Sequence, residues 1–86
     1  NEIYLSSLNL SVKNSDNNEG VIVTKMESDS NLLIGDIITE VNREVILNTN
    51  DFIVLVKQIQ KTGRSSLLLK ILRDKKSLWV TIQFVK

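Results

Sequence analysis

The sequence predicts a small α+β domain: a partly open β-barrel or sandwich of five to six strands, with one main helix at about residues 50–62 lying over a gap. Three observations lead there. Phe52, Leu55, Val56 and Ile59 fall at i, i+3, i+4 and i+7, which is one face of a helix. Short apolar runs on either side of that stretch carry the period of strands. Clusters of Asn, Asp, Ser and Gly separate these runs, and such residues turn the chain.

The elements follow in order. Leu8, Leu10 and Val12 alternate with polar residues and predict a strand over 8–12. Residues 14–19 read as a loop, because Asn, Asp and Ser side chains bond their own backbone in turns. Val21 to Met26 is a second strand, followed by a polar, turn-prone stretch at 28–31. Leu32-Leu33-Ile34 leads into Gly35-Asp36 and a third strand, Ile37 to Val41. Asn42-Arg43 predicts a tight turn into Val45-Ile46-Leu47. Asn48 or Thr49 caps the helix, Asp51 suits the positive end of its dipole, and Gly63 is placed to end it. Two last strands, Leu67–Leu72 and Leu78–Val85, flank the charged tip Arg73-Asp74-Lys75-Lys76. In the second of these, Leu78, Val80, Ile82 and Phe84 share a face while Trp79, Thr81 and Gln83 take the other.

Composition narrows the function. The chain has 86 residues, 42% apolar and 24% charged, which is the range of one ordinary domain. It holds no cysteine and no histidine, so disulfides, thiolate chemistry, the usual zinc ligands and the usual general base are all excluded. No cofactor, metal site or catalytic residue is expected. Ser6-Ser7 and Ser65-Ser66 lack a histidine partner and the glycines of a nucleophile elbow. Asp36 reads as a turn residue that bonds nearby amides. No apolar run is long enough to span a membrane. The chain starts at Asn1 without a methionine, which predicts a single domain cut from a longer protein.

The net charge of +1 hides an imbalance. Residues 1–55 hold three basic residues against nine acidic; residues 56–86 hold eight basic against Asp74 alone. The halves either mix in the fold or leave a basic face of Lys57, Lys61, Arg64, Lys70, Arg73, Lys75 and Lys76. With so few aromatic residues to stack on bases, nucleic acid is not an expected partner.

The order of these pieces resembles a PDZ domain, specifically those of bacterial HtrA/DegP-type serine proteases, over about Leu8 to Phe84. Gly20-Val21-Ile22-Val23-Thr24 resembles the family's second strand. Gly35-Asp36-Ile37-Ile38 with Val41-Asn42-Arg43-Glu44-Val45 resembles its central turn and strand, and Asn50-Asp51-Phe52 the start of its groove helix. Lys61-Thr62-Gly63-Arg64-Ser65-Ser66-Leu67-Leu68-Leu69 resembles the helix exit and next strand of the second PDZ domain in these proteases, and the strand order suits their permuted type. Two places depart. Leu8-Asn9-Leu10 stands where the family's carboxylate loop is apolar-glycine-apolar, and the segment before Gly35 is too short for the family's small helix.

The resemblance implies a non-catalytic module in a periplasmic or cell-envelope protease. Peptide or unfolded protein would add as a strand beside Leu10, Ser11 and Val12. Leu8 and Asn9 would meet a C-terminus, and Phe52, Val56, Ile59 and Gln60 would form the helical wall. Phe52 and Val56 are equally readable as core, and Leu55 and Ile59 read mainly as core. Trp79, on the polar face of its strand, marks either a contact or packing under Ile3-Tyr4-Leu5. The alternative function is an assembly module with a vestigial groove, joined to other subunits or domains of the parent protease.

Overall fold

Asn42 and Arg43 both have positive φ, 48° and 70°, as do Asp74 and Lys75, 52° and 66°. Each pair is the two-residue turn that matches the twist of antiparallel strands, and each closes a hairpin. The computed structural model describes residues 2–16, 19–27 and 31–85. In chain order they form β1 (Ile3–Leu5), β2 (Leu10–Asn14), β3 (Val21–Met26), β4 (Ile37–Val41), β5 (Glu44–Val45), α1 (Thr49–Lys61), β6 (Ser66–Arg73) and β7 (Lys76–Gln83). The seven strands make one open antiparallel sheet in the order β1-β2-β3-β4-β6-β7, with β5 paired on β4. With its single helix this is an α+β fold compatible with a PDZ-like domain.

The predicted helix and strands stand within a few residues of their expected places. β1 is the additional strand. The first expected strand begins at Leu10 and not at Leu8, whose side chain is buried in the preceding loop. The turn expected at 28–31 lies mostly outside the described residues, as do Asn17 and Asn18 of the first loop; residues 31–36 form a turn and no helix.

The helix begins where the sequence provides a cap. Asn48 Oδ1 accepts from the Asp51 amide at 2.9 Å, and Asp51 Oδ2 accepts from the Leu47 amide at 3.0 Å. The first bond satisfies a donor that the helix start leaves orphaned, and the second ties the residue before the cap to the first turn. Phe52, Val56 and Ile59 then face the sheet and join Leu10, Val12, Val23, Ile38, Leu69 and Ile71 in one core. Along β7 the buried face deepens toward its end: Leu78 is exposed, Val80 is half-buried and Ile82 is buried.

Side chains tie the loops to the sheet. Asn42 Oδ1 accepts from the Leu68 amide at 2.9 Å, while its own amide donates to the Leu68 carbonyl at 2.7 Å. Gly20 enters β3 with φ +104°, and a Cβ there would lie 2.1 Å from the Ile38 carbonyl oxygen. The charge imbalance of the two chain halves is partly absorbed by the fold: Lys70 meets Glu40 at 3.4 Å, and Arg73 meets Asp36.

Candidate functional site

β1 and β2 form a hairpin with Ile3 opposite Val12, Tyr4 opposite Ser11 and Leu5 opposite Leu10. Ile3 and Leu5 point to the core face and Tyr4 to the other, as strand alternation requires. The connecting loop turns at Asn9, which has φ 57°. That is left-handed backbone, which asparagine adopts more readily than other residues with a Cβ. The turn aims two amides back along the chain. Leu8 N and Asn9 N both donate to the Leu5 carbonyl, at 3.2 and 2.8 Å. Tyr4 Oη donates to Asn9 Oδ1 at 2.6 Å, and the Glu27 amide donates to the Asn9 carbonyl at 3.1 Å. At the N-terminal end of β1, Glu2 bonds the Thr24 hydroxyl and pairs with Lys25 at 3.8 Å.

Between this hairpin and α1 lies a pocket of about 630 Å³. One wall is β1 with Ser6 and Ser7. The other is Ile53, Val56, Lys57 and Gln60 from the helix, with Val85 at one end. The lining is therefore mixed: the helix contributes two aliphatic side chains, Ile53 and Val56, together with the exposed ammonium of Lys57 and amide of Gln60.

The sequence-predicted residues divide. Val56 and Gln60 are in the pocket wall. Phe52 and Ile59 are not: Phe52 is 0% exposed and both pack in the core. The reason is their angular position, since a stripe at i, i+4 and i+7 from Phe52 looks straight at the sheet while the groove sees the helix's flank. Ile53 and Lys57 form that flank with Val56 and Gln60. Their signal was present as a second i, i+3, i+4, i+7 series beginning at Ile53, one residue off the apolar stripe. Leu8, Leu10, Ser11 and Val12 are all buried.

The expected free edge at Leu10–Val12 is corrected by the structure. β3 pairs with one side of β2 and β1 with the other, so β2 has no open edge there. The signal for β1 was the alternation of Ile3, Tyr4 and Leu5. Trp79 lies far along the sheet order, on the edge strand β7. It is 50% exposed, with the Lys70 ammonium 5.8 Å from its ring centroid.

Among the described residues no group of three or more Asp or Glu side chains is placed to hold a metal ion. The perturbed carboxylate is Asp36. Burial pushes its pKa up, but hydrogen bonds from Arg73 and the Leu33 amide, with the Arg73 charge, outweigh this and hold it below the ordinary 3.8. Its partners identify it as a structural group that fastens the turn before β4 to the end of β6.

A hairpin set beside a helix, its loop amides closed on the hairpin's own Leu5 carbonyl and a pocket open between the two elements, defines the class of fold and site. The sequence comparisons point to a particular setting. The chain is similar to part of the probable periplasmic serine endoprotease DegP-like of Brucella suis, and equally to those of Brucella abortus and Brucella melitensis. Identity is 29% over 83 aligned residues, covering 91% of this chain. The match takes in 16% of each relative's length, so the chain corresponds to a small region of a much longer protease. No family model matches. No helix among the described residues is long and apolar enough to cross a membrane.

Proposed function

We propose that this chain is a non-catalytic PDZ-type module of a DegP-like cell-envelope protease, and that it takes extended polypeptide in the groove between the β1–β2 hairpin and α1. The observation that supports it best is the Leu8–Asn9 loop. Its two amides converge on the Leu5 carbonyl oxygen, the arrangement that would receive a ligand's main-chain carbonyl or terminal carboxylate in that oxygen's place. The helical wall supplies Ile53 and Val56 for an apolar side chain, and Lys57 for an acidic neighbour. The chain region aligned to the Brucella proteases supports the parent class and the periplasmic setting. In that setting the partners are peptides and unfolded segments.

Titration of the labelled chain with a free-acid peptide of apolar C-terminus, and with its C-terminal amide, tests the proposal. Amide shifts should concentrate at residues 3–12 and 53–60, and the acid should bind more tightly. Shifts confined to 64–76, or none at millimolar peptide, overturn it.

One observation favours the second reading, an assembly module. β7 is an edge strand of eight residues that exposes Leu78 and Trp79. Exposed edges of this kind pair with other chains. A concentration-dependent increase in sedimentation coefficient that Trp79→Lys abolishes, with no peptide binding, would select it.

A further inference from the structure

We infer that residues 3–5 are a built-in cover on the β2 edge of the groove, and that peptide adds to that edge by displacing them. The inference rests on the groove reading above and adds how the groove is regulated. β1 runs antiparallel to β2 and continues into the loop at Leu5. An incoming strand that ended at the loop would take the same course beside Leu10–Val12. The Leu5 carbonyl already holds both loop amides, Leu8 N and Asn9 N, so it stands where a ligand's terminal oxygen would be. Leu5 is buried and Ile3 half-buried on the core face, at the positions a ligand's last residue and its second neighbour would fill.

The hold is local and polar at its rim. β1 is three residues long, the length of strand that pairs weakly by itself. Besides the ladder, the packing of Leu5 and the loop amides on its carbonyl, its fastenings are the exposed bonds of the Tyr4 hydroxyl to Asn9 and of Glu2 to Thr24 and Lys25. Its inner face is held by Leu5 in the core with Ile3 against it, while Tyr4 on the outer face is exposed and a pocket opens between β1 and α1. The segment therefore competes with ligand at a very high effective concentration, set by a four-residue tether. The groove is kept satisfied and unavailable until a better strand arrives.

The test uses the whole chain and a fluorescent hexapeptide ending in free-acid Glu-Ile-Tyr-Leu, the sequence of residues 2–5 supplied in trans. Tyr4→Cys with Ser11→Cys places a cysteine pair at directly opposed positions in a chain that has no other cysteine. Oxidation locks β1 on β2, and reductant frees it. Peptide affinity should fall at least tenfold on oxidation and return on reduction. Ile3→Asp, which puts a charge at a half-buried position in β1, should bind peptide at least threefold more tightly than the unaltered chain. Equal affinity of the oxidised and reduced forms overturns the inference, because β1 is then itself the template edge. Affinity unchanged or weaker in Ile3→Asp overturns it too. Absence of binding in every form, the reduced pair and Ile3→Asp included, overturns the groove reading on which it rests. Hydrogen exchange separates the two failures. Amides of 3–5, 8 and 9 that exchange as slowly as those of β6 and β7 mark β1 as a fixed strand, whatever the peptide does.

Discussion

Arg73 grips Asp36 with two parallel hydrogen bonds, Nε to Oδ1 at 2.9 Å and a terminal guanidinium nitrogen to Oδ2 at 2.7 Å. The same terminal nitrogen reaches the Asn31 carbonyl at 3.1 Å, and Asp36 Oδ2 also accepts from the Leu33 amide at 2.8 Å. Asp36 is 2% exposed, so these bonds replace its water completely. Asp36→Asn keeps the shape and removes the charge. It should cost about 2 kcal/mol of stability, measured by urea unfolding, because Arg73 can turn partly to solvent while the buried oxygen loses a charged donor.

The same pair sets an acid limb. Asp36 has a folded pKa below its unfolded one, so its contribution is fully present above the unfolded value. As pH falls below 3.8 and on through the folded pKa, that contribution is lost. Stability of the unaltered chain should therefore decline from about pH 4 downward, and the decline should be shallower in Asp36→Asn. Equal slopes below pH 4 would assign the acid limb to other carboxylates.

Two glycines provide a matched comparison. Gly20→Ala meets the Ile38 carbonyl at 2.1 Å as well as a φ of +104°, whereas Gly35→Ala meets a φ of +99° and open space. Gly35→Ala should cost about 1–2 kcal/mol from backbone strain alone. Gly20→Ala has to move β3 away from β4, and should cost more than about 3 kcal/mol or leave the chain unfolded. Similar melting temperatures for the two variants would show that β3 and β4 can separate freely.

In the β6–β7 tip, Lys75 carries a left-handed φ of 66° at an exposed position. Lys75→Gly relieves that angle and should stabilise the domain by about 0.5–1 kcal/mol, less whatever glycine adds to the freedom of the unfolded chain. Thermal melts at two salt concentrations distinguish this from the removal of one positive charge among several.

On the helix, core and groove are one residue apart. Phe52→Ala should lower stability by about 3–5 kcal/mol, since it empties a fully buried site. Ile53→Asp, on the half-buried flank, should cost about 1 kcal/mol or less in stability yet weaken peptide binding at least fivefold. Parallel unfolding and titration of the two variants should give opposite rankings.

Much of this fold was legible because local signals agreed with the global one. Asn48 and Asp51 announce the start of α1, Phe52, Val56 and Ile59 its buried face, and Asn42-Arg43 a hairpin turn. The groove was harder. Val56 belongs to both core and pocket, and the series from Phe52 and from Ile53 overlap there, so the sequence does not say which of the two faces the groove. β1 has only three residues, with one alternation between Ile3 and Leu5. So short a pattern gains meaning only once β2 is beside it, and the pairing of Leu5 with Leu10 is a property of the folded loop between them.

That loop has a wider consequence, carried by the single angle at Asn9. A search pattern that demands glycine between the two leucines counts Asn9 as a mismatch. The backbone there, at φ 57°, is one that glycine takes freely and asparagine takes at small cost. What this corner requires of its occupant is a dihedral, and more than one letter of the alphabet can supply it. In this chain the letter at the corner is asparagine and the torsion angle is the one glycine would take.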